Sequence, residues 1–208
     1  MTIDILNIQG KKTGRTIDLP DEIFGIEPNE HVLYLAAKAY LANQRQGTAK
    51  SKERNEVARS TKKIKRQKGT GGARAGSAKN PLFKGGGRIF GPRPRDYNQK
   101  LNKKVRDLAR KSAFSAKASG GHLTVLEDFT LDQPKTQEFV NVLKSLELNG
   151  KKTLFLTADY DNNLYLSSRN VQDSRVMHAR DANPYEIMHA NSLVVMENAL
   201  KVIQELHN

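Results

Sequence analysis

Apolar side chains recur with a regular period up to about Asn43 and again from Leu101 onward, and lose that period in between. Ile3 to Ile8 alternates apolar and polar positions and predicts a first strand. The turn-rich run Gly10-Lys11-Lys12-Thr13-Gly14 leads to a second short strand, Arg15 to Leu19, stopped by Pro20. The two strands predict an antiparallel hairpin. Asn29 is placed to cap a helix from Glu30 to about Asn43. Its apolar face carries Val32, Leu35, Ala36, Ala39 and Tyr40.

Periodicity returns with Val105, Leu108, Ala109, Ser112, Ala113 and Ala116, the spacing of an amphipathic helix that Gly120 and Gly121 end. Lys103, Arg106, Arg110 and Lys117 fall on its opposite, basic face. Beyond it, strands and helices alternate. His122 to Leu126, Thr153 to Ala158, Arg175 to Ala179 and Ser192 to Met196 read as strands. Helices are predicted from Pro134 to about Leu148, near Asn163 to Asn170, after Asn183-Pro184, and from Ala199 to His207. Thr153 to Ala158 is almost continuously apolar, as befits a strand covered on both faces. The expected fold class is α/β, a mostly parallel sheet flanked by helices, with a long basic extended loop inserted after the first helix. The expected domains are a globular part, residues 1–45 and 97–208, and a loop, residues 46–96.

Charge explains the aperiodic stretch. The chain carries a formal +13, but Gln44 to Lys111 alone holds 22 Lys and Arg against four acidic residues, or +18, leaving the remainder at −5. Within it, Val57 to Arg95 contains twelve cations and no carboxylate. Nine of the 15 glycines also lie between Gln44 and Lys111. Ordering each residue costs on the order of 1–2 kcal/mol of backbone entropy, which so few apolar side chains cannot offset. A segment of this kind needs a polyanion to order it. Fully extended at ~3.3 Å per residue, an out-and-back excursion of this length reaches up to ~80 Å.

Little in the rest suggests chemistry. The absence of cysteine excludes disulfides, thiolate zinc sites and cysteine nucleophiles. No apolar run of about 18 residues predicts a membrane span, and the N-terminus lacks the pattern of a secretory signal. Gly71 and Gly76 have phosphate-loop spacing, but Ser77-Ala78 stands where Lys-Ser/Thr is needed. Asp159-Tyr160-Asp161-Asn162-Asn163 begins like a calcium loop, yet Leu164 replaces the turn glycine and Asn170 the bidentate glutamate. Glu127 and Asp128 are adjacent on a strand and point oppositely. The five histidines (His31, His122, His178, His189, His207) show no metal-binding spacing. We therefore expect no catalytic residue, metal, cofactor or small-molecule substrate, and a cytoplasmic protein. A phosphate-handling α/β enzyme using Asp159 or Asp161 is the competing reading.

Three features set the basic segment apart from a polylysine tail. Arginine, which forks onto phosphate, is mixed with lysine. Aromatics at Phe83, Phe90 and Tyr97 stand beside cations, where they can stack on unpaired bases. Glycines with Pro81, Pro92 and Pro94 impose turns. This favours a folded RNA over duplex DNA or an anionic membrane surface, and no helix-turn-helix or zinc-finger pattern is present. The candidate contacts on the outgoing arm are Arg45, Lys50, Arg59, Lys62, Lys63, Lys65, Arg66, Gln67 and Lys68. Arg74, Lys79, Phe83, Lys84, Arg88, Phe90, Arg93 and Arg95 follow on the return, and Lys103, Arg106 and Arg110 on the helix after it.

The string RQKGTGGARAGSAKNPLFKGGGRIFGPRPRDY, Arg66 to Tyr97, resembles the hallmark of the family of the fourth large-ribosomal-subunit protein, bacterial type. The flanks NQRQGTAKSKERNEV from Asn43 and KLNKKVRDLARKSAFSAKA from Lys100 agree with it, and the order of features matches over essentially the whole chain. The resemblance implies a structural constituent of the large subunit that binds large-subunit rRNA and assists its assembly. It also implies a loop tip in the wall of the polypeptide exit tunnel, beside the twenty-second large-subunit protein. Mapped onto this chain, the tip is Arg66, Gln67, Lys68, Gly69, Thr70, Gly71 and Gly72, with Arg74 just after. Ile64-Lys65 stands where the family often has proline with an aromatic, and Gly72 where it usually has a cation, which implies a slimmer tip with one charge fewer. In some bacteria the family also represses its own operon through messenger RNA, and members influence macrolide binding.

Overall fold

The computed structural model describes residues 1–207. They form two compact units, one from residues 1–41 with 99–207 and the other from Ala42–Asn98.

The first unit is built on a six-stranded sheet. Strands β1 (Thr2–Leu6) and β2 (Lys12–Asp18) pair as an antiparallel hairpin, with a register irregularity between Asp4 and Leu6. The connection is tighter than the sequence suggests. Asn7 Oδ1 accepts the backbone N–H groups of Gln9 and Lys11, so β2 starts at Lys12 rather than Arg15. The remaining strands are β3 (Leu123–Leu126), β4 (Thr153–Thr157), β5 (Ser174–His178) and β6 (Ser192–Met196), and the order across the sheet is β2-β1-β3-β6-β4-β5. Every pairing other than β1 with β2 is parallel. Each residue of β4 is buried, the expected signature of a strand covered on both faces.

The helices are α1 (Asp21–Phe24), α2 (Glu30–Asn43), α3 (Lys103–Ser119), α4 (Thr136–Ser145), α5 (Asn162–Ser168), α6 (Pro184–His189) and α7 (Glu197–His207). The single turn α1 has no sequence period to betray it, so the basic segment follows the second helix rather than the first. Three helix starts show the reason for their position. Val32 N–H donates to Asn29 Oδ1, Glu186 N–H to Asn183 Oδ1, and Asn163 and Leu164 N–H to Asp161 Oδ1. The Asp159–Asn163 run is thus a helix cap. Helix α4 starts two residues after Pro134, at Thr136, and Gly150 beyond its end has φ +76°.

Phe114, Phe139 and Phe155 are the largest fully buried side chains of one continuous core that also takes Val125, Leu154, Leu156, Leu193 and Leu200. Phe139 lies 5.3 Å from Phe155 and Phe24 5.6 Å from Phe114, both tilted. Each such ring contributes about 1.5–3 kcal/mol by leaving water. A satellite cluster of Val32, Ala36 and Ala109, with Leu101 and Val105 against it, joins α2 to α3. The two helices on either side of the basic segment are therefore held to each other within the globular unit.

Candidate nucleic-acid interface

Between Asn43 and Lys103 there is no helix or strand, only an isolated antiparallel bridge between Lys63 and Ser77. The backbone is nevertheless tied. Working outward along the unit Ala42–Asn98, Arg95 N–H donates to Gly47 O, Ser51 N–H to Pro92 O and Arg88 N–H to Lys52 O, at 3.1, 3.1 and 2.9 Å. Farther out, Gly87 N–H donates to Lys79 O and Ile64 N–H to Gly76 O. These rungs join an outgoing arm to a returning one, and the tip closes beyond the Ile64–Gly76 rung.

Glycines make the rungs sterically possible. A Cβ on Gly87 would sit 2.4 Å from Arg54 N, and one on Gly47 2.1 Å from Arg95 O. Tip glycines have a different reason. Gly69 and Gly71 take φ of +79° and +65° with open space around them, so the tip needs their left-handed backbone rather than their small size.

At the root, two guanidinium groups approach the Tyr97 ring, Arg45 at 3.9 Å and Arg95 at 4.5 Å from its centroid. A hydrogen bond with Arg95, with the charges of Arg95 and Arg45 behind it, holds the Tyr97 phenol below its ordinary value. Two of the segment's carboxylates are also spent near the root. Glu53 pairs with Arg93 at 2.6 Å and Glu56 with Lys50 at 2.5 Å. The Lys50 hydrogen bond holds Glu56 below the usual carboxylate range. Exposed and screened by solvent, such pairs add little to stability.

Farther out, no carboxylate answers the cations. Among the described residues no ion pair involves Arg59, Lys62, Lys63, Lys65, Arg66, Lys68, Arg74, Lys79, Lys84 or Arg88. All are exposed except the half-buried Lys79. Arg59 Nη1 donates to Lys84 O across the arms, and Lys63 Nζ donates to Gln67 Oε1. Every residue from Thr61 to Arg74 is exposed, so Arg66 to Gly72 and Arg74 present their side chains to solvent. Phe90 is wholly exposed and Phe83 half-buried. Lys52, in the Lys52–Arg88 rung, and Arg54 are two more exposed cations beside the expected contacts, signalled by the same composition. The sequence singles out Tyr97 without showing the two arginines that approach it, since Arg45 is remote in sequence.

In the globular unit, Lys103 and Arg106 of α3 are exposed and Arg110 is half-buried. Burial lowers the Arg110 guanidinium from its ordinary value; Asp107 opposes this, Arg106 adds to it and Asp181 opposes it again. Lys117 does not join them. It is 8% exposed and its ammonium donates to Ala190 O at 2.5 Å, because the last turn of α3 is covered on that side as well. Leu108, expected on the apolar face, is 37% exposed. Among the described residues there is no group of three or more His, Asp or Glu side chains able to hold a metal ion, and no helix long and apolar enough to cross a membrane.

A mostly parallel α/β unit carrying a glycine-rich, nearly carboxylate-free arm is a binding protein's layout, and sequence comparison places it. The ribosomal protein L4/L1 family model matches residues 17–206, and the chain belongs to that family. It is 58% identical to a large ribosomal subunit protein uL4 from Flavobacterium psychrophilum, over 99% of this chain and 98% of the relative. Its identity to uL4 of Cytophaga hutchinsonii is 55%, over the whole of both chains. The match makes this chain a structural ribosomal protein of the large subunit, not an enzyme.

Proposed function

We propose that the unit Ala42–Asn98 is the rRNA-binding arm of this ribosomal protein, that it helps large-subunit rRNA fold during assembly, and that Arg66 to Gly72 with Arg74 line the polypeptide exit tunnel. The observation that carries this reading is the run of cations from Arg59 to Arg88, all exposed but the half-buried Lys79, that no carboxylate neutralises among the described residues. A folded protein has no internal use for such a run, whereas each Lys or Arg that meets a phosphate releases a counterion. The rungs join the arms into a stem, and Gly69, Gly71 and Gly72 keep side-chain bulk at the tip low. Lys103, Arg106 and Arg110 extend the phosphate contacts along α3. The partners are large-subunit rRNA and neighbouring large-subunit proteins, among them the twenty-second at the constriction, in the cytoplasmic ribosome. The same cations supply what operon repression through messenger RNA requires, so that activity belongs to the reading.

A photocrosslinking residue at Gln67, in large subunits carrying a stalled nascent chain, tests the placement. Adducts to rRNA and to the nascent chain are expected. Adducts confined to proteins on the subunit's outer surface would refute it.

A further inference from the structure

Ile89, Phe90 and Gly91 stand between two backbone anchors. Arg88 N–H donates to Lys52 O on one side, and Ser51 N–H to Pro92 O on the other. Gly91 is packed so closely that a Cβ would fall 1.7 Å from Ser51 Oγ. The base of this small turn is therefore fixed to the outgoing arm. Its apex is Phe90, with φ +54°, a left-handed conformation that bulky side chains rarely adopt. Solvent reaches the whole residue, at a relative exposure of 103%. A single exposed apolar side chain is common on protein surfaces. One held in a strained backbone conformation on a pinned base is not, because the fully exposed ring has no packing among the described residues to offset the strain.

We propose that Phe90 is a preformed platform on which one unpaired nucleobase of the bound RNA stacks, while Arg88 takes an adjacent phosphate. The inference rests on the rRNA-binding reading above and names one contact within it. Charge selects the occupant. From Lys84 to Arg95 the segment has four cations and no carboxylate. Arg93 is occupied by Glu53 and Arg95 by the Tyr97 ring, whereas Arg88, two residues from Phe90 in the chain, is exposed and makes no ion pair among the described residues. An apolar protein surface would have to desolvate those cations, whereas a nucleotide brings a π-face and an anion together.

The test is binding of the full-length chain to in-vitro transcribed large-subunit rRNA over a salt series. Phe90→Gly keeps the left-handed turn and removes the ring. It should weaken binding roughly tenfold, about 1.4 kcal/mol, with the slope of log K against log salt unchanged, since stacking releases no counterion. Phe90→Tyr should bind like the parent and Phe90→Leu like Phe90→Gly, while Arg88→Gln should lower the slope by roughly one. Parent-like binding by Phe90→Gly, or rescue by Phe90→Leu, which would mark the ring as an apolar plug for a protein or ribose surface, would overturn the stacking proposal alone. A parent chain without salt-dependent rRNA binding would overturn the underlying reading and this inference with it.

Discussion

The ammonium of Lys117 lies 2.5 Å from the carbonyl oxygen of Ala190, joining the last turn of α3 to the residue that closes α6. Burial lowers the pKa of this lysine from its ordinary value. Its position separates two kinds of cation on one helix, those that hold the fold and those left for a partner. Lys117→Ala should lower stability by about 1–3 kcal/mol by orphaning a buried acceptor, and leave rRNA affinity and its salt slope unchanged. Lys103→Gln and Arg106→Gln should do the reverse, shifting stability by no more than about 0.5 kcal/mol while lowering the slope by roughly one each. Chemical denaturation and filter binding on the same preparations would show the crossover.

His207 gives the globular unit a pH-dependent clasp. Its Nδ1 is 2.6 Å from Asp107 Oδ1, its side chain is 1% exposed, and its buried Nε2 has no hydrogen-bond partner among the described residues. Burial lowers the imidazole from its ordinary 6.5, Asp107 pulls it upward, and Arg110 and Lys111 lower it further, with a net downward shift. The unfolded chain therefore binds this proton more readily than the folded one. The contribution of His207 is fully present above pH 6.5 and is lost as pH falls from there to the depressed folded value. A melting series from pH 8 to 5 should show a decline beginning near 6.5 that His207→Gln flattens.

The glycines of the arm should not all respond alike to a methyl group. Gly87→Ala puts Cβ against the Arg54 backbone at 2.4–2.5 Å, which no side-chain rotation relieves, so the nearby rungs should open. Gly76 has neither a positive φ nor a neighbour within 4 Å, and Gly76→Ala should be silent. Amide exchange at Arg88 and Gly87, donors in two rungs, should accelerate in the first variant only.

Protease sensitivity of the free chain should be uneven along the arm. The rungs protect the stem, whereas the tip beyond Ile64–Gly76 has only open backbone. Trypsin should cut first after Lys65, Arg66, Lys68 and Arg74, with the globular unit and the stem resisting longer. Added rRNA should slow those cuts. First cleavage at Lys52 or Arg54 would show that the rungs do not hold.

Where regular backbone hydrogen bonding dominates, the pattern of side chains was a sufficient guide. Ser192–Met196 follows the predicted range, Asn29 caps the helix expected after it, and Asn183 opens the helix expected at Asn183-Pro184. What escaped depends on contacts remote in sequence or on elements too short to have a period. The one-turn α1 falls in the second group. The burial of Lys117 falls in the first, because its acceptor at Ala190 lies 73 residues away. In the arm, composition located the cations, but not the rungs that order the stem or the strained apex at Phe90, since glycine content shows that turns exist and not which residues they bring together.

The central claim is that the arm, continued by the basic face of α3, meets the RNA phosphates, and that the rest of the globular unit does not. The most direct measurement is the salt dependence of rRNA binding for a full-length chain with Lys63, Lys65, Arg66, Lys68 and Arg74 changed to Gln, beside a control with Lys135, Lys144 and Lys151 changed. At roughly 0.7–0.9 counterions per phosphate contact, the arm variant should lose about 3–5 units of slope and the control none. An arm variant with the parent's slope, or a control that loses as much, would contradict the account.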